Sequence, residues 1–262
     1  MYQQEKVLPY SSEKSGKGVQ VTRMFNSIAD TYDTINHFSS LGIDRYWRNK
    51  LIRRVRNAGF PFRGDAEGAS VLDIATGTGD LAILAARKLR PASIVGIDIA
   101  DCMMEIGRKK VQELAVKAED NAVRDALNAI TFQHEDATQM SFADNSFDAI
   151  ITSFGIRNFE NLDKALLEMR RVLRQGGVLA MLELSKPVTS PMKQLFRIYS
   201  HTILPLIGRV IARDKSAYKY LTRSIEAFPQ GEEMSRIVRK AGFSEVSFER
   251  LTFGICTLYI IR

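Results

Sequence analysis

The chain has 262 residues, 45% of them hydrophobic, which is enough for one large core with appendages. Its apolar runs fall short of the roughly 20 residues of a membrane span, and residues 1–18 lack the apolar stretch of a signal peptide. The net charge of +7 is unevenly spread: residues 1–63 carry 11 basic and 5 acidic groups, 64–186 carry 14 and 19, and 187–223 carry 7 and 1.

In chain order, the polar stretch 1–20 reads as a mobile N-terminal arm. Residues 21–262 then form a single domain, with 21–63 as an N-terminal helical cap. Residues 71–80, Val-Leu-Asp-Ile-Ala-Thr-Gly-Thr-Gly-Asp, carry the strongest local signal. Val71, Leu72, Ile74 and Ala75 suit a strand covered on both faces, and Gly77 and Gly79 allow angles and ligand approach that a Cβ would block. Asp80 opens a helix whose Leu81, Leu84, Ala85 and Leu89 recur at helical spacing. Many tight turns carry Gly-x-Gly, so the motif gains weight only from the acids placed at later strand ends.

Residues 93–98 form a second strand ending in Asp98, 19 positions after Gly79, near the spacing of roughly 20 at which an acid meets a ribose diol. The bland alternative makes Asp98 the cap of a helix over 100–116. A third strand, 130–134, leads to Glu135, Asp136 and Ala137, where the acid can accept from an adenine amino group and the Ala137 amide can donate to a ring nitrogen. A fourth strand, 147–153, ends at Ser153. A helix over 160–174 closing at Gly176-Gly177, and a fifth strand, 178–184, come next. This alternation predicts a mostly parallel sheet with helices on both faces and ligands beyond the carboxyl ends of its strands. After the segment 187–223 come a helix at 231–241 and strands 245–251 and 253–261, joined too tightly for a crossover and therefore an antiparallel hairpin at the sheet edge.

Gly77-Thr78-Gly79-Asp80-Leu81-Ala82 also satisfies a dinucleotide-binding form. Electrostatics disfavours that rival, because Asp80 would face a pyrophosphate at the helix N-terminus. S-adenosyl-L-methionine has no phosphate, and its cationic sulfonium and amino group suit acids such as Asp73 and Asp80. Two cysteines, Cys102 and Cys256, and three scattered histidines offer neither a disulfide framework nor metal-ligand spacing, so no metal is expected.

Together, the glycine motif, Asp98 and Glu135-Asp136-Ala137 resemble the class I S-adenosyl-L-methionine-dependent methyltransferases. Tyr32-Asp33-Thr34-Ile35-Asn36-His37-Phe38-Ser39, followed by Trp47, resembles the N-terminal signature of the UbiE/MenG family of quinone C-methyltransferases. Arg171-Val172-Leu173-Arg174-Gln175-Gly176-Gly177 with Glu183-Leu184-Ser185 resembles their second signature, and the likeness runs from about residue 21 to the C-terminus. The departures are Ile35 for a usual Met, Arg174-Gln175 for Lys-Pro, and Asp44 for His, the last removing whatever that His does elsewhere. The resemblance implies an α/β Rossmann-like fold with a seven-stranded sheet, and S-adenosyl-L-methionine as cofactor. Thr78, Asp98, Asp136, Ala137 and Ser153 would contact it: Thr78 and nearby amides at the methionine end, Asp98 on the ribose, Asp136 with Ala137 at adenine.

The implied reaction is C-methylation of a lipid-tailed quinol, either demethylmenaquinol, the last step of menaquinone biosynthesis, or the methoxy-polyprenyl-benzoquinol of the ubiquinone route. The Ala75-Thr76-Gly77-Thr78-Gly79 form is closer to the menaquinone-route members. Arg157, just past the fourth strand, is the candidate to steady the phenolate, with an ion pair to a helix carboxylate as its bland alternative. Tyr32, Asp33 and Asn36 are expected to fold over the cofactor, with Asp33 as proton acceptor, and His201 is a third candidate. The basic segment 187–223 interrupts the alternation as a helical substrate cap; Leu195, Tyr199, Ile203, Leu206 and Val210 share a face bent at Pro205, with Lys193, Arg197 and Arg209 elsewhere. Such a cap suits a cytoplasmic protein touching an anionic membrane surface. Without dense basic runs and interleaved aromatics, nucleic acid is not the expected partner, and the rival activities are methylation of RNA and non-catalytic binding.

Overall fold

The computed structural model describes residues 1–40, 42–60, 68–198, 200, 202 and 215–262, with the side chains of 35–39, 215 and 218 outside that description. Its strands are β1 (Ser70–Ile74), β2 (Ser93–Asp98), β3 (Ile130–His134), β4 (Phe147–Ser153), β5 (Leu173–Leu184), β6 (Val246–Leu251) and β7 (Cys256–Ile261). They form one sheet in the order β3-β2-β1-β4-β5-β7-β6, parallel from β3 to β5, with β7 antiparallel to both β5 and β6. The order runs outward in both directions from β1 and β4. The carboxyl ends of these two strands therefore border the crevice in which such sheets hold ligands.

Helices cover both faces: α1 (Lys17–Ser39), α2 (Ile43–Asn57), α3 (Asp80–Leu89), α4 (Asp101–Val116), α5 (Asn121–Asn128), α6 (Leu162–Val172), α7 (Met192–Ile198), α8 (Lys215–Ala227) and α9 (Glu232–Lys240). Successive strand residues point to opposite faces, so the chain builds two cores. Val71, Ala149, Ile151 and Leu182 pack with Leu51 of α2 and Ala85 of α3. Leu72, Ile74, Ile150 and Met181 pack with Leu166 and Met169 of α6 and Val238 of α9. Burial on both sides is why these strands read as nearly unbroken apolar runs.

Several boundaries differ from expectation. β1 stops at Ile74 because Ala75 turns to φ 55°. Helix α6 starts at Leu162, where the Asn161 side chain accepts from the Lys164 amide at 3.0 Å, and it ends at Val172. β5 already begins at Leu173, so Gly176, at φ 79°, lies in an irregular part of the strand instead of closing the helix. The short α5, capped by Asp120, is an element that the sequence pattern does not announce. The C-terminal hairpin is present, with β6 outermost and a 3-10 turn at Thr252–Gly254 shortening its second strand.

The polar residues 1–20, expected as a mobile arm, are tied down, and α1 begins inside them. Glu5 accepts from the Leu162 amide at 2.9 Å, Tyr2 donates to Asp163 at 2.6 Å, and the buried Lys17 donates to the carbonyls of Gln4 and Arg157 at 2.7 and 3.0 Å. The polarity of Glu5 and Lys17 satisfies buried backbone and not solvent, a distinction composition does not make. In the 187–223 segment, Leu195 and Ile198 of α7 point outward and are more than half exposed, while Phe196 is partly buried. Tyr199, His201, Ile203, Pro205, Leu206, Arg209 and Val210 lie outside the described residues. Among the described residues no helix is long and apolar enough to cross a membrane.

Candidate active site

Beyond the ends of β1, β2 and β4 lies a cavity open to solvent, lined by Gly77, Asp98, Asp136, Ala137 and Ser153 among the expected residues. Val21, Phe25 and Tyr32 of α1 form its outer wall. Four carboxylates line it, Asp98, Glu135, Asp136 and Glu160, and no Lys or Arg does among the described residues. That lining fits a cationic ligand and disfavours a pyrophosphate.

Asp98 joins both readings of it. One carboxylate oxygen accepts from the Gly77 amide at 2.8 Å and the other from the Ala100 amide at 2.9 Å, which holds the glycine turn against the start of α4. Burial pushes its pKa up against these amides, which favour the charged form. A carboxylate offers about four acceptor positions, so the Gly77 and Ala100 amides, with the Ile99 amide also close, leave room for a ribose hydroxyl. Asp136 caps its own turn, accepting from the Thr138 amide at 2.8 Å, with Ala137 buried beside it.

Five expected site residues do not line this cavity: Arg157, which belongs to the second cavity, and four placed around the glycine turn. Thr78 donates to Asp33 at 2.6 Å and accepts from Lys110 at 3.0 Å, so its hydroxyl joins α1 to α4 instead of meeting the methionine end. Asp33 is ion-paired with Lys110 at 2.6 Å and is therefore an anchor of α1, not an open proton acceptor. Asp73 lies on the α3 side of β1 and accepts from the Thr76 hydroxyl at 2.7 Å; burial raises its pKa to about 7, opposed by Thr76, the Ala82 amide and nearby Arg48. Gly79 caps α3 at φ 79°, where a Cβ would meet the Phe132 ring at 2.9 Å, so its smallness serves helix packing. Asp80 also turns away, toward Lys110 at 2.7 Å. The carboxylates suited to a cation are thus the four on the cavity wall, not Asp73 and Asp80.

A second open cavity adjoins the first, with Tyr32 and Phe154 in the walls of both. Trp47, Leu184, Phe196, Leu221, Ile225 and Ile255 make it mostly apolar, and Asp44, Arg48 and Arg157 are its charged members. Arg157 is buried and pairs with Glu183 at the end of β5 at 2.7 Å, while its Nη1 also donates to the Phe154 carbonyl. The carboxylate partner is therefore on a strand, not a helix. Burial lowers the guanidinium's pKa and Glu183 raises it, with a net upward shift that keeps it charged. Its Nε finds no partner among the described residues and remains an unused donor.

Gly155 makes this arrangement possible, because a Cβ there would collide with that of Ala75. Only glycine lets the chain leaving β4 cross so close to the β1 turn and deliver Arg157 to the second cavity.

A family model described as the ubiE/COQ5 methyltransferase family matches residues 12–261. The chain belongs to this family. It is 50% identical over 258 residues to a demethylmenaquinone methyltransferase of Bacteroides fragilis, covering 98% of each chain. It is 41% identical over 261 residues to that of Porphyromonas gingivalis, covering 99% of each. Among solved structures, a SAM-dependent methyltransferase from Aquifex aeolicus aligns with a TM-score of 0.54 at 17% identity, over 80% of this chain and 88% of that one. That likeness concerns the fold. Sequence reasoning for this family member missed Arg48, Lys110, Lys17 and Glu183 as site-building charges. Only Glu183 had a signal, standing in the second signature without a role.

Proposed function

We infer that this methyltransferase uses S-adenosyl-L-methionine to methylate a ring carbon of a polyprenyl quinol, with demethylmenaquinol as acceptor. The observation that carries the reading is the pairing of an acid-lined cavity at the strand ends with a mostly apolar one holding Arg157 on its wall. The names of the Bacteroides and Porphyromonas relatives support the naphthoquinol acceptor.

Asp98 would hold the ribose, Asp136 with Ala137 the adenine, and Gly77 and Ser153 would border the methionine end. Bound cofactor supplies an electrophilic methyl, whose bond to sulfur breaks with its electron pair on sulfur as the bond to the ring carbon forms. Arg157 meets the hydroxyl beside the reacting carbon and steadies the phenolate left when that hydroxyl loses its proton to solvent. The ring carbon then loses its own proton to water and the oxygen held by Arg157 takes one back, which restores the aromatic hydroquinone. Alignment of the two cavities across Tyr32 and Phe154 contributes on the order of 7–11 kcal/mol of the barrier reduction.

The lipid tail fits a membrane-facing entrance. Helix α7 has no buried residue; Leu195 and Ile198 point outward beside Lys193 and Arg197, while Phe196 faces the second cavity. Docking on an anionic surface would follow. Co-sedimentation with anionic vesicles that declines as salt rises supports this; absent or salt-independent binding returns α7 to an ordinary surface helix.

The deciding experiment supplies labelled S-adenosyl-L-methionine with a demethylnaphthoquinol, a methoxy-polyprenyl-benzoquinol and total RNA. Label in the naphthoquinol alone supports the menaquinone step, and label in both quinols a dual-route enzyme. Label in RNA, or in no acceptor despite cofactor binding, overturns the quinol reading.

A further inference from the structure

The second cavity contains a charged pair that the methyl transfer leaves unused. Arg48 of α2 is ion-paired one helical turn back with Asp44, whose other oxygen accepts from the Ser40 hydroxyl at 2.7 Å, and more loosely with Asp80 at 3.7 Å; Arg48 and Asp44 both line the cavity. Arg48 and Asp44 are 7% and 3% exposed, so the pair is almost wholly removed from water. Burying such a pair gains little stability, because desolvation offsets the attraction and apolar residues of similar size do as well or better.

The pair shares its cavity with Arg157, and both reach the same short segment of chain. The Arg48 Nε approaches the Ser153 hydroxyl at 3.4 Å and its guanidinium carbon lies 5.3 Å from the centroid of the Phe154 ring, while Arg157 holds the Phe154 carbonyl. Phe154 and Ser153 also border the first cavity. An aromatic ring entering against Phe154 thus meets a wall that carries both guanidiniums. A phenolic hydroxyl both donates and accepts, and Arg48 beside Asp44 presents a donor next to an acceptor. A quinone carbonyl only accepts, so the Asp44 carboxylate opposes it.

We propose that Arg48 and Asp44 bind the second oxygen of a para-dihydroxy aromatic acceptor, opposite the hydroxyl met by Arg157, and so select the reduced hydroquinone over both the monophenol and the oxidised quinone. The proposal rests on the quinol reading. Sites built to pair a hydroxyl reject analogues that lack it far more strongly than apolar pockets reject a change of size.

The test compares two acceptors: a prenylated naphthalene hydroquinone, and the prenylated naphthol that keeps the hydroxyl beside the reacting carbon and lacks the other. For the native chain, kcat/KM is expected to favour the hydroquinone by about 10- to 100-fold. In Arg48→Gln that preference should collapse to within about threefold, by a loss on the hydroquinone much larger than that on the naphthol. Where Arg48→Gln does not fold, Arg48→Lys serves, since it keeps the charge on Asp44 and loses the planar donors; the preference should then drop several-fold. In Asp44→Asn, quenching of Trp47, the chain's one tryptophan and part of the cavity wall, should report tighter binding of the oxidised quinone relative to the hydroquinone by about tenfold. Equal loss on both acceptors, or a native chain that does not distinguish them, overturns the proposal and leaves the quinol reading standing. A native chain that methylates neither acceptor overturns both.

Discussion

The two cavities are built by different means. The first takes its polar groups from strand ends and the turns directly after them, and they are pinned locally: Asp98 by the Gly77 and Ala100 amides, Asp136 by the Thr138 amide. The second takes its polar groups from α2 and the turn after β4, and they are held by partners remote in sequence, Arg157 by Glu183 at the end of β5 and Arg48 by Ser153 and Asp80 besides its near neighbour Asp44. A site made from backbone-anchored acids tolerates divergence elsewhere in the chain. One made from buried side-chain pairs depends on both members being present.

The sharpest break of this comparison is at Arg157. Arg157→Ala leaves Glu183, only 1% exposed, without its charge partner, so a loss of about 3–5 kcal/mol in unfolding free energy is expected by denaturant titration. Arg157→Lys keeps the charge and should fold; its turnover is expected to fall by roughly 100-fold with cofactor affinity unchanged. Equal loss of turnover and cofactor affinity would mean the two cavities are not separate.

Lys17 spans both regions, since its neighbour Gly18 borders the first cavity and its ammonium holds the Arg157 carbonyl. Burial lowers its pKa from 10.5 to about 7, against Glu5 and Glu160, which raise it, while Arg157 adds to the lowering. The unfolded chain therefore binds more protons between these values, and this group adds stability as pH rises through that window. From pH 7 to pH 9 the gain is about 2 kcal/mol, and it is constant below the folded value. In Lys17→Met that rise should disappear from unfolding free energies measured across the same range. A slope of equal size in the variant would place the titration elsewhere.

Asp98→Ala should weaken cofactor binding by about 1–3 kcal/mol in calorimetry while quenching of Trp47 by the hydroquinone stays the same. Unchanged cofactor affinity sinks the ribose assignment. The smallest effect is expected at Asp33: held by Lys110 and Thr78, it should cost about 1 kcal/mol of cofactor affinity as Asp33→Asn, through looser seating of α1, with the shape of the pH–rate profile unchanged. A lost acidic limb in that profile would instead restore the proton-acceptor role.

The legibility of the site follows the same division. β2, β3 and β4 run as their patterns predict, because apolar runs between turn residues are local signals. The acids at their tips are visible because a parallel sheet brings strand ends to one crevice whatever its loops do. The errors come where one residue type serves two purposes. Thr78 and Asp73 sit in the motif but turn toward α3 and α4, and Glu5 and Lys17 of the polar N-terminal stretch satisfy buried backbone. Gly176 signals a helix end and instead sits in a strand irregularity.

The sequence by itself determined the layered α/β fold, the crevice at the ends of β1 and β4, and the family to which the chain belongs. Those rest on periodicity and on motifs of a few consecutive residues. Only the tertiary structure decided that Arg157 pairs with Glu183, that Arg48 and Asp44 share its cavity, and that Asp33 is an anchor held by Lys110. Spacing along a strand specifies which face a side chain takes, whereas partnership between charges is set by packing in three dimensions, where burial makes each unpaired member costly.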